Sequence, residues 1–239
     1  MSSKSHEGNG WDANTHYRDT RVARNYDGER FSSLAGRVFN DRERRLVRSI
    51  FARLLPAGAR VADIPCGTGR LAEPLLEAGF RVHGMDISEQ MLQVAHERLG
   101  RFGDLFSTEV ADARSLAESD PRFDGVLCAR VLMHFPLDEQ IAFLRGVAAL
   151  SRGPIVINHS FSSPYQRLRR RVKSLLGHQP SARFPITEEQ VHRLLDACGL
   201  RETQRHRLAA PISEAVYIVV LPRTRQTPAN AGAVEQVPA

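Results

Sequence analysis

The sequence predicts an α/β fold: a doubly wound, mostly parallel sheet of seven strands, covered by helices on both faces, with an antiparallel terminal strand. Three observations predict it. β-like apolar runs alternate with helix-like ones over most of the chain. A Gly-x-Gly turn follows the first β-like run and opens a helix. The last two β-like runs follow one another across the short link "AAPIS", with no helix between them.

The elements follow in order. Residues 1–14, "MSSKSHEGNGWDAN", are polar and read as a mobile leader. A single domain spans 15–222, opening with an N-terminal lid and helix over 15–57. "LAGRVFNDRERRLVRSIFARLL" (34–55) sets Leu34, Val38, Leu46, Ile50 and Leu54 at helical spacing between arginines, an amphipathic helix ended by Pro56 and Gly58. "ARVADI" is β-like, "GRLAEPLLEAG" is helical and closes on Gly79, and "FRVHGMDI" is β-like again. "SEQMLQVAHERLG" opens with Ser88 as N-cap and ends at Gly100. "FSTEVAD", "FDGVLCARV" and "GPIVINHS" are further strands. "LDEQIAFLRGVAAL" and "TEEQVHRLLDACG" are helices, the second with the capping box Thr187-x-x-Gln190. Two β-like runs, about 201–208 and 215–221, close the domain, and 223–239 reads as a disordered tail.

Composition narrows the class. A hydrophobic share of 42% and a charged share of 25% are those of a globular chain. No apolar run approaches the roughly 20 residues of a membrane span, and the N-terminus has no signal-like apolar stretch. Cys66, Cys128 and Cys198 lie far apart in apolar contexts, as buried thiols of a cytoplasmic protein do. No cluster has metal-ligand spacing. The net charge of +6 points to an anionic partner or to a base-composition bias, since Lys4 and Lys173 are the only lysines.

Chemistry concentrates in "VADIPCGTGR" (61–70). In an open α/β sheet, ligands bind beyond the carboxyl ends of the strands. Glycines there permit a tight turn and let a ligand approach backbone N–H groups at a helix N-terminus. Asp86 ends the second strand, where a carboxylate can accept from both ribose hydroxyls. Asp112 ends the third, where it can receive the exocyclic amine of adenine. Three acids and two glycines at consecutive strand ends predict an adenosine-containing ligand. Ala72 stands at the third glycine position of a dinucleotide fingerprint, a variation that leaves NAD open.

Asp63-x-x-Cys66-Gly67-Thr68-Gly69, followed by "MDIS", "ADA" and "FDGVLCARVLMHF", resembles the class I S-adenosylmethionine-dependent methyltransferases over about residues 25–222. The resemblance implies a Rossmann-like sheet with an antiparallel terminal strand and S-adenosylmethionine as cofactor. It implies that Asp63 and the Cys66, Gly67 and Gly69 backbone line the methionine end. Asp86 would hold the ribose, Ile87 and Met91 would pack near the adenine, and Asp112 with Ala113 would meet the adenine edge. Ala129 and Arg130 would face the sulfonium, and Tyr26 and Arg37 fall where relatives close a lid. Pro65 departs from the small residue common there and stiffens the turn.

The resemblance implies methyl transfer to O, N or C of a small, in one version anionic, metabolite or lipid-type acceptor. The methyl is already activated, so a base is needed only if the acceptor must lose a proton. His134 and His159 are the candidates, each with a packing role as its plain alternative. The insert 160–186 pairs apolar residues with Arg167, Arg169, Arg170, Arg171 and Lys173, predicting a basic helical lid that recruits substrate or touches a membrane surface through 165–176. Three rivals stand beside this reading. They are an RNA methyltransferase, a non-catalytic cofactor-binding module docking through Arg169–Arg171, and a nicotinamide oxidoreductase, for which no Tyr-x-x-x-Lys pair is present.

Overall fold

The computed structural model of the protein describes residues 33–162, 184–208 and 213–223. The leader, Tyr26 with the rest of 1–32, the basic stretch 165–176 with the rest of 163–183, the link 209–212 and the tail 224–239 lie outside the described residues.

Ser33 starts helix α1 (Leu34–Leu54), its Oγ accepting from the Gly36 N–H at 3.0 Å. Four strands and three helices follow: β1 (Arg60–Asp63), α2 (Ala72–Glu77), β2 (Arg81–Asp86), α3 (Glu89–Leu99), β3 (Phe106–Val110), β4 (Gly125–Cys128) and α4 (Leu137–Ala149). β5 (Ile155–Ser160), α5 (Glu188–Ala197), β6 (Leu200–Arg207) and β7 (Ala215–Pro222) complete the fold. The caps read from the sequence are present. Ser88 Oγ accepts from the Met91 N–H, and Thr187 and Gln190 form the reciprocal box at α5. Gly79 ends α2 at φ 86°. Gly100 does not end α3 in that way: it stays right-handed and leads into a short 3-10 turn over Gly100–Leu105.

The seven strands pair in the order β3-β2-β1-β4-β5-β7-β6. β3 through β5 are parallel, and β7 runs antiparallel to both β5 and β6. The expected antiparallel terminal strand is β7, and it lies inside the sheet with β6 at the edge. Their compositions explain this order. "AVYIVV" (215–220) is buried at every residue and needs neighbours on both sides, whereas β6 is polar from Arg201 onward, with exposed or half-buried side chains, and tolerates the edge.

Side-chain alternation splits the core into two layers. Val61, Val82, Leu127 and Val156 pack with Val47, Ile50 and Phe51 of α1, Leu75 of α2 and Leu99 of α3. Ala62, Val126, Cys128, Ile155 and Ile157 pack with Phe143, Leu144 and Val147 of α4 and Leu194 of α5. Each large apolar side chain so buried contributes about 1.5–3 kcal/mol. Glu73 of α2 clamps the first layer, taking Arg44 of α1 at 2.5 Å, Arg98 at 2.9 Å and Arg101 at 2.7 Å. Burial works to raise its carboxyl, but the hydrogen bonds and charges of those arginines hold it below the ordinary glutamate range. Because β1 has β2 on one side and β4 on the other, the chain switches direction at β1, and a crevice opens beyond its carboxyl end.

Candidate cofactor cleft

The loops that leave β1, β2, β3 and β4 surround one cleft with about 1070 Å3 of empty space, counting the part open to solvent. Asp63, Cys66, Gly67, Asp86, Ile87, Met91, Asp112, Ala113, Arg130 and His134 all line it. Residues scattered over seventy positions of sequence are thus brought to one wall by strand order alone.

The glycine turn and Asp86 are built as a unit. Gly67, at φ 54°, donates its N–H to Asp86 Oδ2 at 2.8 Å, and the Ser88 N–H donates to Oδ1 at 3.0 Å. Burial pushes the Asp86 carboxyl up, opposed by the amides of Ser88, Gly67 and Ile87. Gly69 serves packing instead of the wall. At φ 75° it hands its N–H to the Cys66 carbonyl, and a Cβ there would lie 2.6 Å from Leu99 Cδ1. Gly84 on β2 has a similar reason, since a Cβ would meet Cys66 Sγ at 2.6 Å. Pro65 joins the wall through a cis Ile64–Pro65 bond, and the turn still reaches β2 through Cys66 N–H to Met85 O at 2.8 Å.

Asp63 is 1% exposed, and its Oδ2 has no hydrogen-bond partner among the described residues. Burial drives its carboxyl well above the ordinary range; the Arg70 charge works against this and the Asp86 charge adds to it. Asp112 differs. Arg114 grips both its oxygens, Nε at 3.0 and 3.1 Å and Nη2 at 2.7 Å, which holds that carboxyl below its ordinary value. Arg114 was not singled out in the sequence, yet it too lines the cleft, with its guanidinium 5.9 Å from the Phe135 ring.

The two histidines separate. His134, in the 3-10 turn Leu132–His134, faces the cleft half-buried. His159 is absent from the wall, a correction to its candidacy as a base at the site. Its Nδ1 accepts from the Ser160 N–H at 2.9 Å and its Nε2 lies 3.0 Å from Gln140 Oε1, so it sits as a neutral ring in the core. Burial lowers its pKa to about 4. Gln140 passes the contact on, donating to the Phe135 carbonyl at 2.8 Å beside the turn that carries His134. Arg37 is exposed on α1 and does not line the cleft among the described residues, because it lies on the solvent side of that helix.

The thiols are free. Cys66 and Cys128 are buried, Cys198 is half-buried, and burial raises all three, Cys198 to about 11. Among the described residues no group of His, Cys, Asp and Glu could hold a metal ion, and no helix is long and apolar enough to cross a membrane.

The sequence reading missed a buried acid. Glu43 of α1 is 0% exposed and meets Arg70, Arg130 and Tyr217 behind the cleft. Its only signal was a charged residue on the apolar side of an amphipathic helix, which a run of arginines obscured.

Comparison with known proteins places these features. A family model described as "Methyltransferase domain" matches residues 61–152. The magnesium-protoporphyrin O-methyltransferase of Synechocystis sp. is 32% identical over 101 residues, 42% of this chain and 44% of that protein. The ubiquinone biosynthesis O-methyltransferase of Xanthomonas axonopodis pv. citri is 35% identical over 102 residues, 42% of each. The chain thus spans less than half the length of these curated relatives. The fold matches the crystal structure of magnesium protoporphyrin IX methyltransferase from Synechocystis PCC 6803 with bound SAH, at TM-score 0.70 and 20% identity, over 87% of this chain and 97% of that one. It also matches the 1,6-didemethyltoxoflavin-N1-methyltransferase of Burkholderia thailandensis with bound S-adenosylhomocysteine, at TM-score 0.61 and 22% identity, over 90% and 92%. At these identities the likeness establishes the fold.

Proposed function

Residues 61–152 carry a methyltransferase domain of the class I S-adenosylmethionine-dependent family, and from that premise we propose that the chain binds S-adenosylmethionine in the cleft and methylates a small-molecule acceptor. One observation carries this reading: Asp63, Asp86 and Asp112 converge on a single cleft although they sit on three different strand ends. The donor set suits the cofactor. Asp63 Oδ2, buried without a partner, matches an ammonium group. Asp86, fixed by backbone amides at the end of β2, is the acceptor for a ribose diol. Ile87, Met91 and Ala113 supply the apolar bed for an adenine beside Asp112.

When bound, S-adenosylmethionine supplies a methyl group on a sulfonium, ready for in-line displacement. The chain's part is to fix the cofactor at these acids and to keep the pocket dry. His134 is placed to take a proton from an acceptor hydroxyl. Phe135 and Phe143, stacked at 6.0 Å, give the acceptor side an apolar surface. The curated relatives are named as O-methyltransferases, which supports an oxygen acceptor. Free thiols support a cytoplasmic setting.

Calorimetry with S-adenosylhomocysteine and with NAD tests the cofactor, and labelled methyl transfer into fractionated cell extract, read by mass spectrometry, tests the acceptor. Binding of S-adenosylhomocysteine alone, lost in Asp86→Ala with the fold retained by circular dichroism, is the expected result. Tight NAD binding without S-adenosylhomocysteine binding overturns the proposal. Cofactor binding with no labelled product from any fraction would favour a non-catalytic module.

A further inference from the structure

Glu43 poses a physical question. A carboxylate taken wholly out of water costs several kcal/mol unless its partners are well placed, and an apolar residue would pack α1 more cheaply. Glu43 nonetheless sits at 0% exposure, facing three elements that are distant in sequence. Oε1 accepts from the Tyr217 hydroxyl of β7 at 2.8 Å and from Arg130 Nη1 at 3.2 Å, and Oε2 lies 2.7 Å from Arg70 Nη2. Arg130 follows β4 with φ 64°, in the left-handed region that disfavours a residue with a side chain. Such strain persists only where surrounding contacts fix it, and it clusters at functional sites. The contact seen at this guanidinium is Glu43, 87 residues away in sequence.

Arg130 lines the cleft, and its Nε is buried without an acceptor. Asp63 lines the same cleft at the end of the neighbouring strand, and its Oδ2 is buried without a donor. A carboxylate oxygen without a donor and a guanidinium Nε without an acceptor among the described residues, on adjacent strand ends, suit the two charged groups of an α-amino acid. We infer that the Glu43–Arg130 pair reads the amino-acid arm of the cofactor, with Arg130 meeting the carboxylate and Glu43 acting from α1 as the residue that positions and partly neutralises it. This rests on the cleft being an S-adenosylmethionine site. Neutralisation matters because the methyl donor carries a sulfonium and its demethylated product does not. A guanidinium stripped of its acid would repel the donor more than the product.

The test compares affinities for three ligands by calorimetry: S-adenosylmethionine, S-adenosylhomocysteine and 5′-methylthioadenosine, which lacks the amino-acid arm. Glu43→Gln keeps the shape and an acceptor for Tyr217 but removes the charge. It is expected to weaken S-adenosylmethionine about tenfold more than S-adenosylhomocysteine, as one charge acting across a partly buried distance would, and to leave 5′-methylthioadenosine unchanged. Arg130→Gln is expected to weaken both amino-acid-bearing ligands and spare 5′-methylthioadenosine, and it decides the matter if Glu43→Gln does not fold. Equal loss for all three ligands, or no loss for any, overturns the inference and leaves the pair as scaffold. A wild-type protein that binds none of the three overturns the cofactor reading itself.

Discussion

Asp63 shows how a single side chain trades stability for binding. Burial raises its carboxyl well above the ordinary range, with Asp86 adding to the effect and Arg70 opposing it. A carboxyl whose pKa is raised in the folded state supports the fold below its ordinary range and withdraws that support as pH rises through the raised value. At neutral pH the unliganded protein therefore carries a cost that a ligand ammonium would remove. Asp63→Asn is expected to raise the melting temperature of the ligand-free protein at pH 7 and to flatten its fall between mildly acid and neutral pH. The same substitution is expected to weaken S-adenosylhomocysteine binding at least tenfold, in line with leaving an ammonium unpaired. Calorimetric melts across pH, with and without ligand, check both halves. A variant that melts lower and binds as the wild type would assign Asp63 to the scaffold. Asp63 and Asp86 were legible in the sequence because acids end consecutive apolar runs beside two closely spaced glycines. Glu43 was not, since its burial depends on where α1 docks.

At the scale of elements, the Asp112 end of the cleft depends on how closely α4 approaches the chain after β3. Gly146 lies buried on α4, and a Cβ there would overlap the carbonyl oxygen of Ala113. The neighbour is backbone and cannot swing aside. Gly146→Ala is expected to cost about 1–3 kcal/mol, and to weaken every adenosine ligand, 5′-methylthioadenosine included, because Asp112 and Ala113 must shift with that carbonyl. Denaturant titration together with calorimetry reads the two effects. An alanine variant that is stable and binds normally would show that this approach is looser than the geometry states. The helix itself was readable from "LDEQIAFLRGVAAL", but nothing in that string distinguishes a glycine that faces a carbonyl from one that faces solvent.

Across the whole molecule, strand order turns local motifs into a site. β1 lies at the switch point, so the acids after β1, β2 and β3 and the arginine after β4 meet although each lies in its own loop. The cleft draws on both halves of the parallel sheet and on α1 behind it, so its ligand should stabilise the fold globally. S-adenosylhomocysteine at a hundred times its Kd is expected to add about 2.7 kcal/mol of stability, a rise of about 5–10 °C in Tm for a chain of this size. NAD at the same concentration is expected to add none. A thermal shift series with both ligands checks this, and an unchanged Tm with S-adenosylhomocysteine would count against the cleft as its binding site.

The sequence by itself determined the strands, the helices and their caps, the glycine turn, and the acids that follow three strands, because each is encoded within a few neighbouring residues by periodicity, capping chemistry or backbone freedom. The interior place of β7 was nearly readable too, in an unbroken apolar run that cannot face water on either side. Only the tertiary structure decided that His134 faces the cleft while His159 sits behind it, that Arg114 occupies the carboxylate of Asp112, and that Glu43 stands beside Arg130. The physical reason is common to all three. Whether a charge or a ring is buried, paired or open to a ligand depends on partners brought from distant parts of the chain, and no local pattern records them.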